Sequence, residues 1–465
     1  MPDSRFADFS RRNFLASATG FAAALPILGA AAGGINAHAA DNSGYKALVC
    51  ILLQGGLDGA DMIFPTDTAE FERLRALRPG IIASHGADRD PANMSTINAS
   101  IGSRRFALPG EMSGVADLFN RGDAAVVANV GPLVEPTTRE DLDRNRAVLP
   151  KRLFSHNDQQ SVWLSGESEG SSTGWGGRIS DRVSNNGSVF TACSVSDANI
   201  FLTGAATRGL VLPVGELQDA HVLRYDYLLG TGRRNARLRA LLDAHHRAEG
   251  PRGENIILRD VADVNTRAVD SMETYADALA TSSGSSVAFP RNRLGGQLKQ
   301  IADTIAISGA LGVGRQVFYA SLGGFDTHSS QASDLPNLLA EVSDAITAFQ
   351  SAMNAMGRAD EVTLFTASDF GRTLTENGDG TDHGWGGHHL VVGGAVRGGR
   401  IIGDLPSYDL DQPTYTRDRG RLIPGLSVDQ YGATLARWFG LTDSEIDGVF
   451  PRLRNFDTRD IGLFA

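Results

Sequence analysis

The chain has 465 residues, 43 Lys and Arg against 54 Asp and Glu, a formal net charge of −11, 54 glycines and two cysteines. An acidic balance of this size gives no general attraction to nucleic acid or to anionic membranes, although clustered acids still bind cations. The length suits one large α/β domain with insertions, or two domains.

Ser10-Arg11-Arg12-Asn13-Phe14-Leu15 is a twin-arginine motif, followed by an apolar run from Phe14 to Ala32 and a small-x-small step at Ala37-His38-Ala39. The run is alanine-rich and broken by Pro26, so it reads as a cleaved signal over 1–39 and not as an anchor. The expectation is a periplasmic or secreted protein that uses the twin-arginine pathway. Residues 1–39 hold three arginines and two aspartates, which leaves −12 on the remainder. No later segment is apolar for long enough to span a bilayer.

Lys46 to Leu53 is a continuous apolar run that ends in QGGLDG at 54–59, and it predicts a buried first strand and a glycine turn. Thr68 to Leu77 has helical spacing, stopped by Pro79-Gly80. Residues 82–106 are polar and read as irregular. Met112 to Asn120 predicts a helix and Ala124 to Asn129 a second core strand, and this alternation points to a parallel sheet with crossover helices. Residues 131–155 form a polar link. Ser155 to Leu164 reads as a helix with Ser155 at its N-cap. Phe190–Val195 and Ile200–Thr203 read as short strands. Residues 214–288 turn charged and amphipathic, which predicts a helical insertion capping the site, with His245 and His246 on a solvated face.

Alternation then returns. Leu294–Leu311, Asp334–Met356 and Val428–Phe439 read as helices, with strands at Gln316–Leu322, Val362–Ala367, Leu390–Gly393 and Arg400–Ile402. Cys50 lies in ALVCILL; it either pairs with Cys193 or is a buried free thiol.

Three segments carry the chemistry: GGFDTHSSQ at 323–331, TASDFGRT at 366–373 and TDHGWGGHHLVVGG at 381–394. Four of the ten histidines fall here, among Asp326, Asp369 and Asp382. Two of the segments follow strand-like runs. Carboxylates and imidazoles at the carboxyl ends of parallel strands suit one or two divalent ions such as Zn, Mn or Fe. Asp58 is expected at the same sheet edge. His383, His388 and His389 lie in a glycine-rich stretch that reads as a sharply bent loop. The expected ligands are Asp58, Asp326, His328, Asp369, His383 and His388. Ser155 is a candidate nucleophile or a plain N-cap, and Arg372 is a candidate contact to an anionic substrate. One carboxylate per strand end plus histidines is the parts list of a two-metal hydrolase. The blander reading makes the same residues turn and helix caps.

The order QGGLDG, FSHNDQQ, GWGGRISD, GGFDTHSSQ, SDFGRT, TDHGWGGHH and VDQYGATLARWFG resembles the bacterial domain of unknown function 1501 family over nearly the whole chain beyond residue 39. The resemblance implies a fold similar to the alkaline phosphatase and sulfatase superfamily, an α/β/α sandwich with a mostly parallel sheet and two metals at its strand ends. Under it, Asp58 matches the first-strand aspartate, and Ser155 or His156 lies near the nucleophile's place. Asp326 and His328 match one metal site, and His383 with His388 or His389 matches the late histidine. Asp369 matches the aspartate of an Asp-His pair, with Phe370 where the histidine would be. Neither cysteine has the surroundings that sulfatases convert to formylglycine. The implied activity is metal-dependent hydrolysis of phosphate or sulfate esters, on small or polymeric anionic substrates. The alternative is a non-catalytic metal-binding or protein-interaction module on the same fold, partnering another exported protein.

Overall fold

A computed structural model describes residues 44–183, 188–212 and 256–465, with Val214, Gly215, Arg237 and Leu241. The expected signal at 1–39, His245, His246 and much of the expected insertion lie outside the described residues.

From the amino end come β1 (Lys46–Gln54), β2 (Phe64–Pro65), α1 (Thr68–Leu77), α2 (Pro79–His85), β3 (Ser95–Ile101), β4 (Arg104–Leu108), α3 (Ser113–Arg121) and β5 (Ala124–Gly131). Next are α4 (Arg139–Asp143), α5 (His156–Ser165), α6 (Trp175–Val183), β6 (Ala192–Ser194), β7 (Leu210–Val211) and α7 (Ile256–Ala280). Then follow α8 (Arg293–Ala306), β8 (Arg315–Gly323), α9 (Gln331–Ala355), β9 (Val362–Ser368), β10 (Arg372–Glu376) and β11 (Thr381–His383). The chain closes with β12 (Gly387–Val392), β13 (Ile401–Ile402), β14 (Leu426–Ser427), α10 (Val428–Phe439) and α11 (Asp443–Val449).

The main sheet runs β13-β5-β12-β9-β1-β8-β6-β7, with β14 also on β5. β1 is central and pairs in parallel with both β8 and β9. Its alternate side chains build the two faces. Ala47, Val49, Ile51 and Leu53 pack with α3, α8 and α9. Leu48, Cys50 and Leu52 pack with α5, α6, α10 and α11. The result is an α/β/α sandwich, and it explains why β1 is apolar throughout.

The two cysteines are buried and free. Cys50 belongs to one layer and Cys193 to the other, with β8 between their strands. Two strand spacings come to about 9.6 Å, beyond the ~7 Å that a disulfide spans between Cα atoms.

The structure differs from the sequence reading in four places. Residues 82–106 are not irregular: β3 and β4 pair antiparallel, and β4 also takes β2. Ile200–Leu202 is a 3₁₀ turn and not a strand. His388 and His389 lie inside β12, not in a bent loop. β12 runs antiparallel to both β5 and β9 in an otherwise parallel sheet. This last reversal matters for the site. An antiparallel strand starts at the edge where its neighbours end, so the segment before β12 arrives at the carboxyl ends of β1, β8 and β9. Among the described residues, no helix is long and apolar enough to cross a membrane.

Candidate metal centre

β1, β8 and β9 deliver Gly55, Asp326 and Asp369 to one edge. The glycine turn after β1 permits the approach. Gly55 has φ +119°, and a Cβ on it would lie 2.3 Å from the backbone nitrogen of Asp326. The amide of Phe325 donates to the Gln54 carbonyl at 3.1 Å, which pins the loop after β8 to the turn. Gly55 N–H also donates to Asp369 Oδ2 at 3.1 Å.

The first turn of α5 lies over this edge and contributes His156. Its Nδ1 is 2.7 Å from Asp369 Oδ2, and its Nε2 is 3.4 Å from Asp326 Oδ2. His328 places Nε2 3.1 Å from Asp326 Oδ1, with Nδ1 3.4 Å from Asp382 Oδ1. His383, at the end of β11, places Nε2 3.3 Å from Asp326 Oδ1 and 2.8 Å from His328 Nε2. Its Nδ1 is 2.8 Å from the Phe154 carbonyl. A carbonyl only accepts, so Nδ1 of His383 carries the proton and Nε2 presents a lone pair. Phe154 holds this position with φ 76°, a left-handed conformation uncommon for a bulky residue. Its ring lies 4.5 Å from the Arg421 guanidinium, and Arg421 donates to the His383 carbonyl at 2.8 Å.

Three imidazoles from three separate segments thus turn Nε2 toward one carboxylate. Each opposite ring nitrogen faces an oxygen acceptor, the arrangement that orients histidine ligands. Ligand atoms of His156, Asp326 and His383 lie within 4.8 Å of one another. A tetrahedral ion at Zn–N distances has ligand–ligand edges of about 3.3 Å. Nε2 of His328 and of His383 lies 3.1 and 3.3 Å from Asp326 Oδ1, and Nε2 of His156 lies 3.4 Å from Oδ2, each close to that size, while the 2.8 Å between His328 and His383 is shorter. His156, Asp326 and His383 are the donors gathered within 4.8 Å, and with His328 beside Asp326 they suit a zinc-like divalent ion.

The surroundings set the charge states. Partial burial acts to raise Asp326, but the Arg372 hydrogen bond and charge outweigh it and hold the carboxyl below its ordinary value. The hydrogen bond to Asp369 raises His156. Burial lowers both His328 and His383, which favours their neutral, lone-pair form. Asp369 accepts from Gly55 N–H and Gln160 through Oδ2, while its buried Oδ1 has no hydrogen-bond partner among the described residues.

The remaining expected site residues are placed differently. Asp58 is buried in an ion pair: Arg78 donates to its Oδ2 at 2.8 Å, Gln331 to the same oxygen at 2.7 Å, and the Ala60 amide to Oδ1 at 3.0 Å. His388 Nδ1 accepts from the Asn129 amide at 3.0 Å, which leaves the proton on Nε2 and no lone pair for a metal. Burial lowers His388 to about 4, so the ring stays neutral. His389 is a core residue, 4.6 Å from the Trp163 ring. Ser155 is the N-cap residue of α5, but its hydroxyl donates to Asp158 at 2.9 Å and caps no backbone amide. Arg372 has a fully buried side chain; it donates to Asp326 at 2.6 Å, to the Gly55 carbonyl at 3.2 Å and to Thr381. It orients Asp326. Phe370 stacks on the site, its ring 4.5 Å from His383 and 4.8 Å from His156.

His156 is a candidate ligand that the sequence reading placed, with Ser155, only near the nucleophile's position. Its further signal is position: it is the first residue of the helix that begins next to Ser155. Arg78 carries no motif at all.

A family model described as "Protein of unknown function (DUF1501)" matches residues 45–445, and the chain belongs to that family. No curated protein matches the chain in sequence. Among solved structures, the chain is similar to the C-terminal periplasmic domain of EcEptC from Escherichia coli in complex with Zn, at 10% identity and a TM-score of 0.34, covering 91% of this chain and 88% of that one. It is also similar to the PsFucS1 sulfatase from Pseudoalteromonas sp., at 12% identity and a TM-score of 0.34, covering 90% and 73%. At these scores, the chemistry rests on the residues alone.

Proposed function

We propose that this DUF1501 member is an exported protein with one divalent-metal centre, and that it hydrolyses phosphate- or sulfate-type esters. The observation that carries the reading is the convergence of His156, His328 and His383 on Asp326. Export follows from the twin-arginine motif and cleavage step in residues 1–39.

His156, His328, His383 and Asp326 would hold the ion. A divalent ion in that setting supplies Lewis acidity toward an ester oxygen and an activated water as nucleophile. Asp369 fixes the ring of His156 and keeps its proton on Nδ1. Arg372 keeps Asp326 ionised and in place. His328 and Asp326, each with a side chain 43% exposed, are the open side of the centre. Arg419, well exposed, is paired with Asp382 beside His328, and an anionic substrate would compete for it. The nucleophile assigned here is water, because the Ser155 hydroxyl is engaged by Asp158.

Metal analysis of the purified protein, with a panel of phosphate and sulfate esters, tests this reading. Bound zinc, manganese or iron, and turnover that is lost in Asp326→Asn, are expected. A metal-free protein whose stability ignores chelator removes the reading. A second reading, a metal-containing interaction module that partners another exported protein, is favoured by the commitment of Ser155 and Arg372 to internal bonds. It predicts bound metal without turnover on the whole panel.

A further inference from the structure

Behind the centre lies a second group of charges that the proposed chemistry does not use. Asp58 and Asp61 are both buried, and the Gln331 amide bridges them at 2.7 and 3.2 Å. Asp61 is held by Arg89 at 2.9 Å and His85 at 2.9 Å, and Arg89 continues to Glu111 at 2.7 Å. Asp58 is held by Arg78. That guanidinium is fully buried and also donates to the carbonyls of Leu374 at 3.1 Å and Thr373 at 2.9 Å. Gln331 closes the group toward the centre. Its Oε1 accepts from Thr327, next to His328, at 3.1 Å and from Thr381, two residues before His383 in β11, at 2.8 Å.

Asp58 sits at the carboxyl end of the central strand, where a second ion would need a carboxylate. Its oxygens are already engaged, and its positive partner is covalently part of the chain. A small cavity of about 30 Å³ lies between Asp58 and His388. Asp58 is the sole carboxylate on its wall, and the His388 ring there has no lone pair to offer. A divalent ion brought there would meet the buried Arg78 and Arg372 cations.

We propose that the centre holds a single metal ion, and that Arg78 is the permanent cation at Asp58. The carboxylate of β1 thereby serves as an anchor for the two ligand segments, through Gln331, and not as a ligand. This rests on the metal-centre reading above and deepens it.

Zinc titration of the metal-stripped protein, read by calorimetry and by elemental analysis after dialysis, tests the proposal. The wild type is expected to bind one equivalent, and Asp326→Asn to lose it. The paired variant Asp58→Asn with Arg78→Gln avoids stranding one buried charge. It is expected to keep one equivalent with affinity within about 10-fold, the lower end of the range for outer-shell changes. Two equivalents in the wild type, with one lost in the paired variant, overturn the proposal and leave the metal centre standing. A wild type that binds no zinc overturns the metal-centre reading and this proposal together. Gln331→Leu, which leaves both ion pairs in place, is a second test, with circular dichroism to confirm the fold. It is expected to weaken zinc binding about 10-fold with the stoichiometry unchanged; an altered stoichiometry counts against the proposal.

Discussion

At the scale of single residues, the histidines divide by what their ring nitrogens touch. His156 has an acceptor on Nδ1 and a free path from Nε2 to Asp326, and Asp369 is the group that fixes this orientation. Asp369→Asn keeps the shape but lets the ring rotate or change tautomer, so zinc affinity is expected to fall about 10- to 100-fold. Calorimetric titration checks this, with circular dichroism to confirm that the fold persists. His389 has the opposite role. It is buried beside Trp163, and burial lowers it from 6.5 to about 3. The folded state resists a proton that the unfolded chain accepts below about 6.5. Its stabilising effect is therefore complete above that pH and is lost as the pH falls toward 3. The expected slope is up to about 1.4 kcal/mol per pH unit over that window. Urea unfolding from pH 7 to pH 4 measures it, and His389→Phe should flatten the curve.

At the scale of elements, the turn after β1 decides whether the centre can form. Gly55→Ala meets both a φ of +119° and backbone atoms of Asp326 at 2.3 Å, which a rotamer change cannot relieve. A loss of about 3 kcal/mol or more is expected, together with weakened metal binding. Gly357 also has a positive φ, +68°, but nothing lies within 4 Å of its missing Cβ. Gly357→Ala should cost only about 1 kcal/mol and leave the metal untouched. Parallel urea melts and zinc titrations separate the two effects.

The same elements show what the sequence could convey. Thr68–Leu77 and Val428–Phe439 begin and end where their spacing says, because local periodicity defines an amphipathic helix. Asp326, His328 and His383 were legible as candidate ligands because each sits in a short polar motif beside a strand. The β3–β4 hairpin was not, because Ser95–Ile101 is mostly polar and half exposed. The direction of β12 was not legible either, since an apolar run has no orientation. Asp58 looked like a ligand for lack of its partner: Arg78 lies 20 residues away in a segment with no motif.

At the scale of the whole molecule, the centre joins parts of the chain that are far apart in sequence. His156 opens α5, Asp326 and His328 follow β8, and His383 closes β11. These groups meet as a carboxylate facing three imidazoles, two of them with Nε2 atoms 2.8 Å apart. A bound ion would replace those contacts with bonds that exist only in the folded state. It would therefore stabilise the entire domain by mass action, by about 2.7 kcal/mol at a free-ion level one hundred times the dissociation constant. For a chain of this length, that corresponds to a rise in Tm of about 3 °C or more. Thermal melts in chelator and after zinc is restored should differ by at least that amount, and the difference should vanish in Asp326→Asn. The paired Asp58 and Arg78 variant should melt lower under both conditions yet keep the same zinc-dependent gap, because its damage lies in the anchor and not in the ligands. A gap that closes in the paired variant and stays open in Asp326→Asn would reverse these roles and move the metal from Asp326 to Asp58.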